Sequence, residues 1–441
     1  MTMLRSDLEH LVSGRRTLGG DDLAANALRD WLEAEGLFDT AQSLGLSALF
    51  PELSFPVQGA ARYLFGGIRY FKGGLLAAPH AGGDFGALPR DRSDDRLIES
   101  IHDWPGTALQ TREGRENVSS LVNLKSLSIN SARFTDFEFN ALLENPIAQS
   151  LRRLRILENS IFFSHRCQAL KTNRLPNLLE FHLNAGCLSL SGTHRLLDFP
   201  FCHGVERLSV ARGVRCLTFC QKLAKSTHLK NLRQIDLDIQ PLALHDIKIL
   251  CNWDRWSQLT GLGITLRNSD CNQSLELISE SLPSLECLKL RVHGSYGRGL
   301  EHLKGCLPRL SKLEIQCFGI GPEAAKIFSG EFAPRLESLT LRDCQINPLV
   351  EIEVGEKLVP HLAFLSISEG ARQTDIRPFF ENGATRLIGL NFGNTPPHAI
   401  GEMAWLSMDK FPNLLRVDGL AFFINQELKA KRDSMSELNL I

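Results

Sequence analysis

The chain has 441 residues, of which 43% are hydrophobic and 22% charged, with a formal net charge of -1 at pH 7. That balance is too apolar for a disordered chain, and it lacks the basic excess of a nucleic-acid binder, although a local basic stripe stays open. No stretch approaches the roughly 18 consecutive apolar residues of a membrane helix, and the N-terminus MTMLRSDLEHLVSGRR lacks the basic-then-apolar order of a secretory signal.

Residues 1–115 stand apart. They hold no cysteine, and their 12 basic and 16 acidic residues leave the remainder of the chain slightly basic. DDLAANALRDWLEAEGL (21–37) reads as a helix, with Asp21 or Asp22 near its cap, Leu23, Leu28, Trp31 and Leu32 on one face, and Gly36 at its end. Residues 54–90 are glycine-rich with interleaved aromatics. The pairs Gly66-Gly67, Gly73-Gly74 and Gly82-Gly83 invite a phosphate-loop reading, but that loop needs Gly-Lys-Ser/Thr and Lys72 precedes its glycines. The segment is expected to be a hairpin or a mobile loop leading into the rest of the chain, or a partner-binding segment. PELSF (51–55) is similar to the opening of an F-box, yet the glycine-rich residues after it lack the helical leucine pattern that module needs.

From residue 116 onward one spacing recurs. Its fullest form is LESLTLRDCQI (336–346), with Leu336, Leu339 and Leu341 followed by Cys344 and Ile346. The middle apolar position of L-x-x-L-x-L falls at residues 127, 154, 181, 208, 235, 262, 288, 313, 339, 365, 390 and 417. The steps are 27 five times, then 26, 25, 26, 26, 25 and 27. Twelve copies at so fixed a period are the mark of a solenoid. Between these strands the apolar spacing turns helical: Leu244, Ile247 and Leu250; Leu275, Ile278 and Leu282; Ala324, Ile327 and Phe328. Proline at 176, 283, 308, 334, 360 and 412 stops the preceding helix and starts the chain towards the next strand. After Val417, Leu420, Phe422, Phe423 and Ile424 precede a charged amphipathic helix that is expected to close the array.

These repeats resemble the leucine-rich repeat family, in particular its ribonuclease-inhibitor-like and cysteine-containing subclasses, over about residues 118–425. The resemblance implies an α/β solenoid, a horseshoe with a parallel sheet on its concave side and helices on its convex side. The expected organisation is a helical and glycine-rich capping region at 1–115, about twelve repeats of 25–27 residues at 116–425 and a cap helix at 426–441. In the slot where the family places asparagine or cysteine, only Asn159 and Cys344 conform, so the resemblance implies irregular bends. Cys344 is expected to be a small buried residue at its bend. The phrase ALRDWLEAEG (27–36) also resembles the short helical segment that precedes degenerate leucine-rich repeats in some bacterial proteins.

Little in the chain points to chemistry. The eleven cysteines all lie between Cys167 and Cys344, with no C-x-x-C pair, and read as small buried hydrophobes of a reducing, cytoplasmic protein. The thirteen histidines show no metal spacing, G-x-S-x-G is absent, and His245-Asp246 begins a helix where aspartate suits the first turn. No cofactor and no metal are expected. Trp253 and Trp256 are expected on the helix side, one in the core and one a candidate second contact surface.

Residues that alternate with the strand leucines face the concave side. Two basic clusters arise there, Arg153, Arg155, His182 and Arg207, then Lys289, Arg291, Lys312 and Arg342, with Asp236 and Asp238 between them. Phe364 adds an aromatic, and Gly261, Gly263, Gly389 and Gly393 leave shallow patches where a partner reaches the backbone. The reading is a non-catalytic scaffold that binds a protein partner on this face, as inhibitor, adaptor or immunity or sensor module. The alternatives are an effector or enzyme acting through residues 1–115, and nucleic-acid binding through the basic clusters.

Overall fold

A computed structural model of the chain describes residues 54–56, 70–72, 75–78, 100–104, 121, 123–130, 136–159, 175–185, 197, 200–211, 216–293, 300, 307–321, 334–346, 354–356, 358–368, 384–391, 410–414 and 416–418. The chain divides into two compact units: Met1–Val214 with Ser226–Asn231, and Arg215–Lys225 with Leu232–Ile441.

The first unit holds strands β1 (Ser54–Pro56), β2 (Tyr70–Lys72), β3 (Leu75–Ala78), β4 (Ser100–Trp104), β5 (Ser126–Asn130), β6 (Arg153–Asn159), β7 (Glu180–Ala185) and β8 (Arg207–Ala211), with helix α1 (Asp136–Glu144). β1, β2 and β3 pair antiparallel, and β2 and β3 are joined by Gly73 and Gly74 alone, a composition that suits a two-residue hairpin turn. From β3 onward every pair is parallel. Ile101 on β4 pairs with Leu127, so the ladder extends N-terminally beyond the first predicted repeat. The β4 strand reaches its register through a bulge that brings Trp104 opposite Ile129.

The second unit holds α2 (Cys216–Ala224), β9 (Gln234–Leu242), α3 (Leu244–Cys251), β10 (Gly261–Arg267), α4 (Cys271–Ser281), β11 (Cys287–His293), β12 (Lys312–Cys317), β13 (Gly319–Ile320), β14 (Ser338–Arg342), β15 (Gln345–Ile346), β16 (Phe364–Ser368), β17 (Gly389–Asn391) and β18 (Arg416–Asp418). Its main sheet runs β9-β10-β11-β12-β14-β16-β17-β18, all parallel, and β13 pairs with β15 alongside it. In each unit the parallel strands stack as in a leucine-rich repeat solenoid. The middle apolar residues stand side by side, from Ile235 through Leu262, Leu288, Leu313, Leu339, Leu365 and Leu390 to Val417. In the first unit Leu127, Leu154, Phe181 and Leu208 do the same.

The pattern dictates this. Alternate residues of a strand face opposite ways, so one slip in register would turn the leucines outward and the charges inward. All of those aligned residues whose side chains are described are buried. α3 and α4 cover them with Ile247 and Leu250, and Leu275 and Ile278, at the predicted helical spacing. Two carboxylates satisfy the start of α3: Asp246 accepts from Ala243 N–H at 2.9 Å, and Asp270, from the next repeat, accepts from Leu244 N–H at 3.1 Å. The helix predicted around residues 323–332, the helix at 21–37 and the C-terminal cap lie outside the described residues.

Backbone geometry repeats as faithfully as the leucines. The second carbonyl before a middle leucine accepts two N–H groups from the next strand: Lys125 O takes Arg152 N at 2.7 Å and Arg153 N at 2.9 Å, and Glu286 O takes Ser311 N and Lys312 N. Prolines sit second in a four-residue turn that feeds the strand, as where Leu178 N–H reaches Leu175 O at 3.2 Å and Leu310 N–H reaches Leu307 O at 3.1 Å. Proline presets the dihedral angle that this turn position needs. An asparagine ladder is present too, though not in the family slot. Asn177, Asn231 and Asn413 each stand just before the first repeat leucine and donate to a carbonyl of the preceding repeat, at Gln149, His203 and Thr385, over 2.6, 2.8 and 2.7 Å.

Trp253 and Trp256 are both buried, so neither offers the candidate second contact surface. Trp256 Nε1–H donates to Ser281 Oγ at 2.7 Å, which gives its one polar atom a partner inside the core.

Leu339 is fully buried between Leu313 and Leu365. Its replacement by alanine is expected to cost about 2–5 kcal/mol of unfolding free energy, read by urea titration, whereas Asn177→Ala, which removes one turn hydrogen bond, is expected to cost about 1 kcal/mol.

Candidate interaction surface

The residues between the leucines form columns that run across the strands. In the first unit Arg153, Glu180 and Arg207 are register partners on β6, β7 and β8. Glu180 Oε1 lies 3.1 Å from Arg153 Nε and accepts from Arg207 Nη1 at 2.8 Å. The next column over carries Arg155 and His182. The first predicted basic cluster is therefore one assembled patch, with its glutamate placed between two of its arginines.

The second cluster is more tightly organised. Arg291 on β11 makes a bidentate pair with Asp236 on β9, Nη1 to Oδ1 at 2.9 Å and Nη2 to Oδ2 at 3.2 Å, reaching across the whole of β10. Its Nε is 3.5 Å from Asp238 Oδ1. Lys289 Nζ lies 3.7 Å from Asp236 Oδ2 and 3.2 Å from Glu314 Oε1, and Arg342 Nε lies 3.2 Å from the same Glu314 oxygen. Six charges thus alternate in one chain: Asp238, Arg291, Asp236, Lys289, Glu314, Arg342. Burial works against the Arg291 charge, but the hydrogen bonds and field of Asp236, with Asp238 and Glu314 behind it, outweigh burial and raise its pKa further.

β10 makes this span feasible because its register partners of Gln234 and Asp236 are glycines, Gly261 and Gly263. A Cβ on Gly263 would stand 2.6 Å from Asp236 Cγ, and one on Gly261 would stand 2.8 Å from Gln234 Cγ. Asp236 and Gln234 lean over the strand into the space that the glycines leave. This corrects the expectation that Gly261 and Gly263 open shallow patches to a partner: the chain fills that trough with its own side chains.

The remaining predicted residues fall into three groups. Arg155 and Lys312 meet no carboxylate among the described residues, and Lys312 is exposed. His182 is half-buried. Phe364 is only 8% exposed, packed into its sheet beside buried Ser366, so in the folded chain it has little area left to present. The opposite case was missed by the sequence reading. Phe318, in the bend after β12, is 53% exposed. Its signal was available, since an aromatic stood in a slot where the repeat asks for asparagine or cysteine.

Among the described residues, no three histidine, cysteine or acidic side chains come together to hold a metal. His245 Nδ1 lies 4.0 Å from Asp246 Oδ1, beyond hydrogen-bond reach. Burial pushes the thiols of Cys251 and Cys287 up, away from the thiolate that a nucleophile needs. No described helix is long and apolar enough to cross a membrane.

No protein-family model matches the chain, and no curated protein matches it. Among solved structures it is similar to TLR13 in a complex with ssRNA13, at 20% identity and a TM-score of 0.38, over 73% of this chain and 44% of that one. It is also similar to a Bacteroides fragilis protein solved as a structural-genomics target, at 14% identity and a TM-score of 0.34, over 56% of this chain and 77% of that one. The chain thus spans less than half of the TLR13 chain that it matches.

The glycine and the ion pair are coupled. Gly263→Ala is expected to destabilise the protein by about 1–3 kcal/mol by driving Asp236 off Arg291. In an Asp236→Ala background the same change is expected to cost distinctly less, because the clash and the pair are already gone. A double-mutant cycle in urea measures the difference.

Proposed function

We propose that the chain is a non-catalytic binding scaffold whose sheet face takes a protein partner with a complementary pattern of both charges. The observation that carries this reading is the alternating chain of six charges from Asp238 to Arg342. Side chains held in place by their own neighbours lose little freedom on binding, and a face of mixed sign selects one partner and rejects others more than it adds raw affinity. Arg155 and Lys312, without carboxylate partners among the described residues, are the cations with charge left to offer. In the first unit the paired residues Arg153 and Arg207 shape the surface around Arg155 and His182, and in the second Lys289, Arg291, Arg342, Asp236 and Asp238 shape the surface around Lys312.

The role is that of an inhibitor, adaptor, or immunity or sensor module, by analogy with what such repeats do. Repeats of 25–27 residues with a cysteine at the Cys344 bend fit the ribonuclease-inhibitor-like and cysteine-containing subclasses. The seven free thiols among the described residues fit a reducing, cytoplasmic setting. One observation favours a second reading, nucleic-acid binding: the first unit sets Arg153, Arg155 and Arg207 against Glu180 alone in its patch. Phosphate contacts want uncompensated cations, and Glu180 compensates two of the three.

The test is recovery of a partner from the source cell by wild type and by an Arg155→Glu/Lys312→Glu variant shown by circular dichroism to be folded. A protein retained by wild type and lost by the variant is the expected result. A partner kept by both moves the function off this face. A recovered nucleic acid, with binding that falls steeply and linearly on a log–log salt plot, replaces the reading with the second one.

A further inference from the structure

The bend after β14 brings two thiols together. β12 and β14 pair in register up to Gln316 and Arg342, and β13 and β15 resume the same offset at Gly319 and Gln345. By that register Cys344 stands opposite Phe318, not opposite Cys317. Regular alternation would point Cys317 and Cys344 to opposite sides. Asp343 breaks the alternation: its φ of 52° is left-handed, and it turns Cys344 inward to the side where Cys317 already lies. Both cysteines are buried, Phe318 faces outward, and the two sulfurs stand 3.7 Å apart. A backbone carbonyl lies within reach of each, Gly319 O at 3.3 Å from Cys317 and Arg342 O at 3.0 Å from Cys344. No other pair among the seven described free thiols makes such a contact.

We propose that Cys317 and Cys344 are a redox-responsive thiol pair that a peroxide converts into a disulfide joining β12 to the bend after β14. Neighbouring strands lie about 4.8 Å apart, and the one-residue offset of about 3.3 Å along the strand lengthens this to about 5.8 Å, inside the span that a disulfide bridges. The sulfurs need to close by about 1.6 Å to reach bonding distance, which side-chain rotation supplies while the bridges on either side pin the backbone. The contact also makes the two thiols unequal. The hydrogen bond from Cys344 draws the Cys317 thiol below its ordinary pKa, and the same contact, with burial, pushes Cys344 well up. Cys317 is therefore the attacking sulfur and Cys344 the resolving one.

The steps balance. The Cys317 thiolate attacks one oxygen of hydrogen peroxide, the O–O bond breaks, and the leaving hydroxide takes up the proton that Cys317 released, forming water. The sulfur is left as a sulfenic acid. The Cys344 sulfur then displaces hydroxide from it, the S–S bond forms, and the Cys344 proton leaves with that hydroxide as a second water. Two thiols give two electrons to the peroxide bond, and the products are one disulfide and two waters.

The experiment treats the reduced full-length protein with one equivalent of hydrogen peroxide, blocks remaining thiols with iodoacetamide, and maps tryptic peptides without reduction. Cleavage after Lys312, Lys326, Arg342 and Lys357 places Cys317 and Cys344 alone in peptides 313–326 and 343–357. The expected result is these two peptides linked as the major disulfide, separated again by dithiothreitol, with a higher urea midpoint for the oxidised protein. Cys344→Ser is expected to abolish the link and leave Cys317 as sulfenic acid, trapped by dimedone. Both peptides recovered alkylated, or a major disulfide between other cysteines, overturns the proposal. The wild-type map decides this even if the variant fails to fold.

Discussion

Much in this molecule depends on one backbone contact made again from rung to rung. A carbonyl just ahead of a buried leucine accepts two N–H groups from the following strand, at nine positions among the described residues between Lys125 and Ala363. A carbonyl has two lone pairs, and using both leaves the next strand no freedom to slide. The leucine pattern chooses the register, and this contact holds it. Once it is set, leucines stack on leucines, and each residue between them has a known neighbour on the next strand.

The charged face is a consequence of that register. Asp236 and Arg291 are 55 positions apart in the chain, yet they meet because each belongs to a fixed column and because the rung between them carries glycine. The two glycines do not open the surface. They permit an ion pair to cross it, and the pair then buries most of the guanidinium. A buried arginine needs such a partner to remain charged, since stripping it of water otherwise costs several kcal/mol. The same logic places Glu180 between two arginines in the other unit, so the predicted basic clusters became alternating ones.

Several sequence signals were read for the right place and the wrong reason. The recurrent prolines marked the boundary between repeats, but their contribution is the second position of a tight turn as much as the ending of a helix. The asparagine ladder was sought in the family slot and found missing there. It stands elsewhere, one residue before the first leucine, where Asn177, Asn231 and Asn413 tie successive turns together. Phe364 read as a contact residue because its column faces outward, but its neighbours cover it. Cys344 was read correctly as buried, and only its partner was out of sight.

The sequence by itself determined the repeat, its period, the leucine columns and the helices α3 and α4, because each of these is a local pattern whose physical cause lies within about one repeat. It also determined which residues stand on the exposed columns. What the tertiary structure alone decided is who meets whom across rungs. The Asp236–Arg291 pair skips a strand, the Cys317–Cys344 contact depends on one left-handed residue, and the β4 rung enters through a bulge. None of these follows from spacing, because side-chain reach, a single backbone dihedral and a register shift are set by packing between neighbouring repeats and leave no periodic trace in the chain.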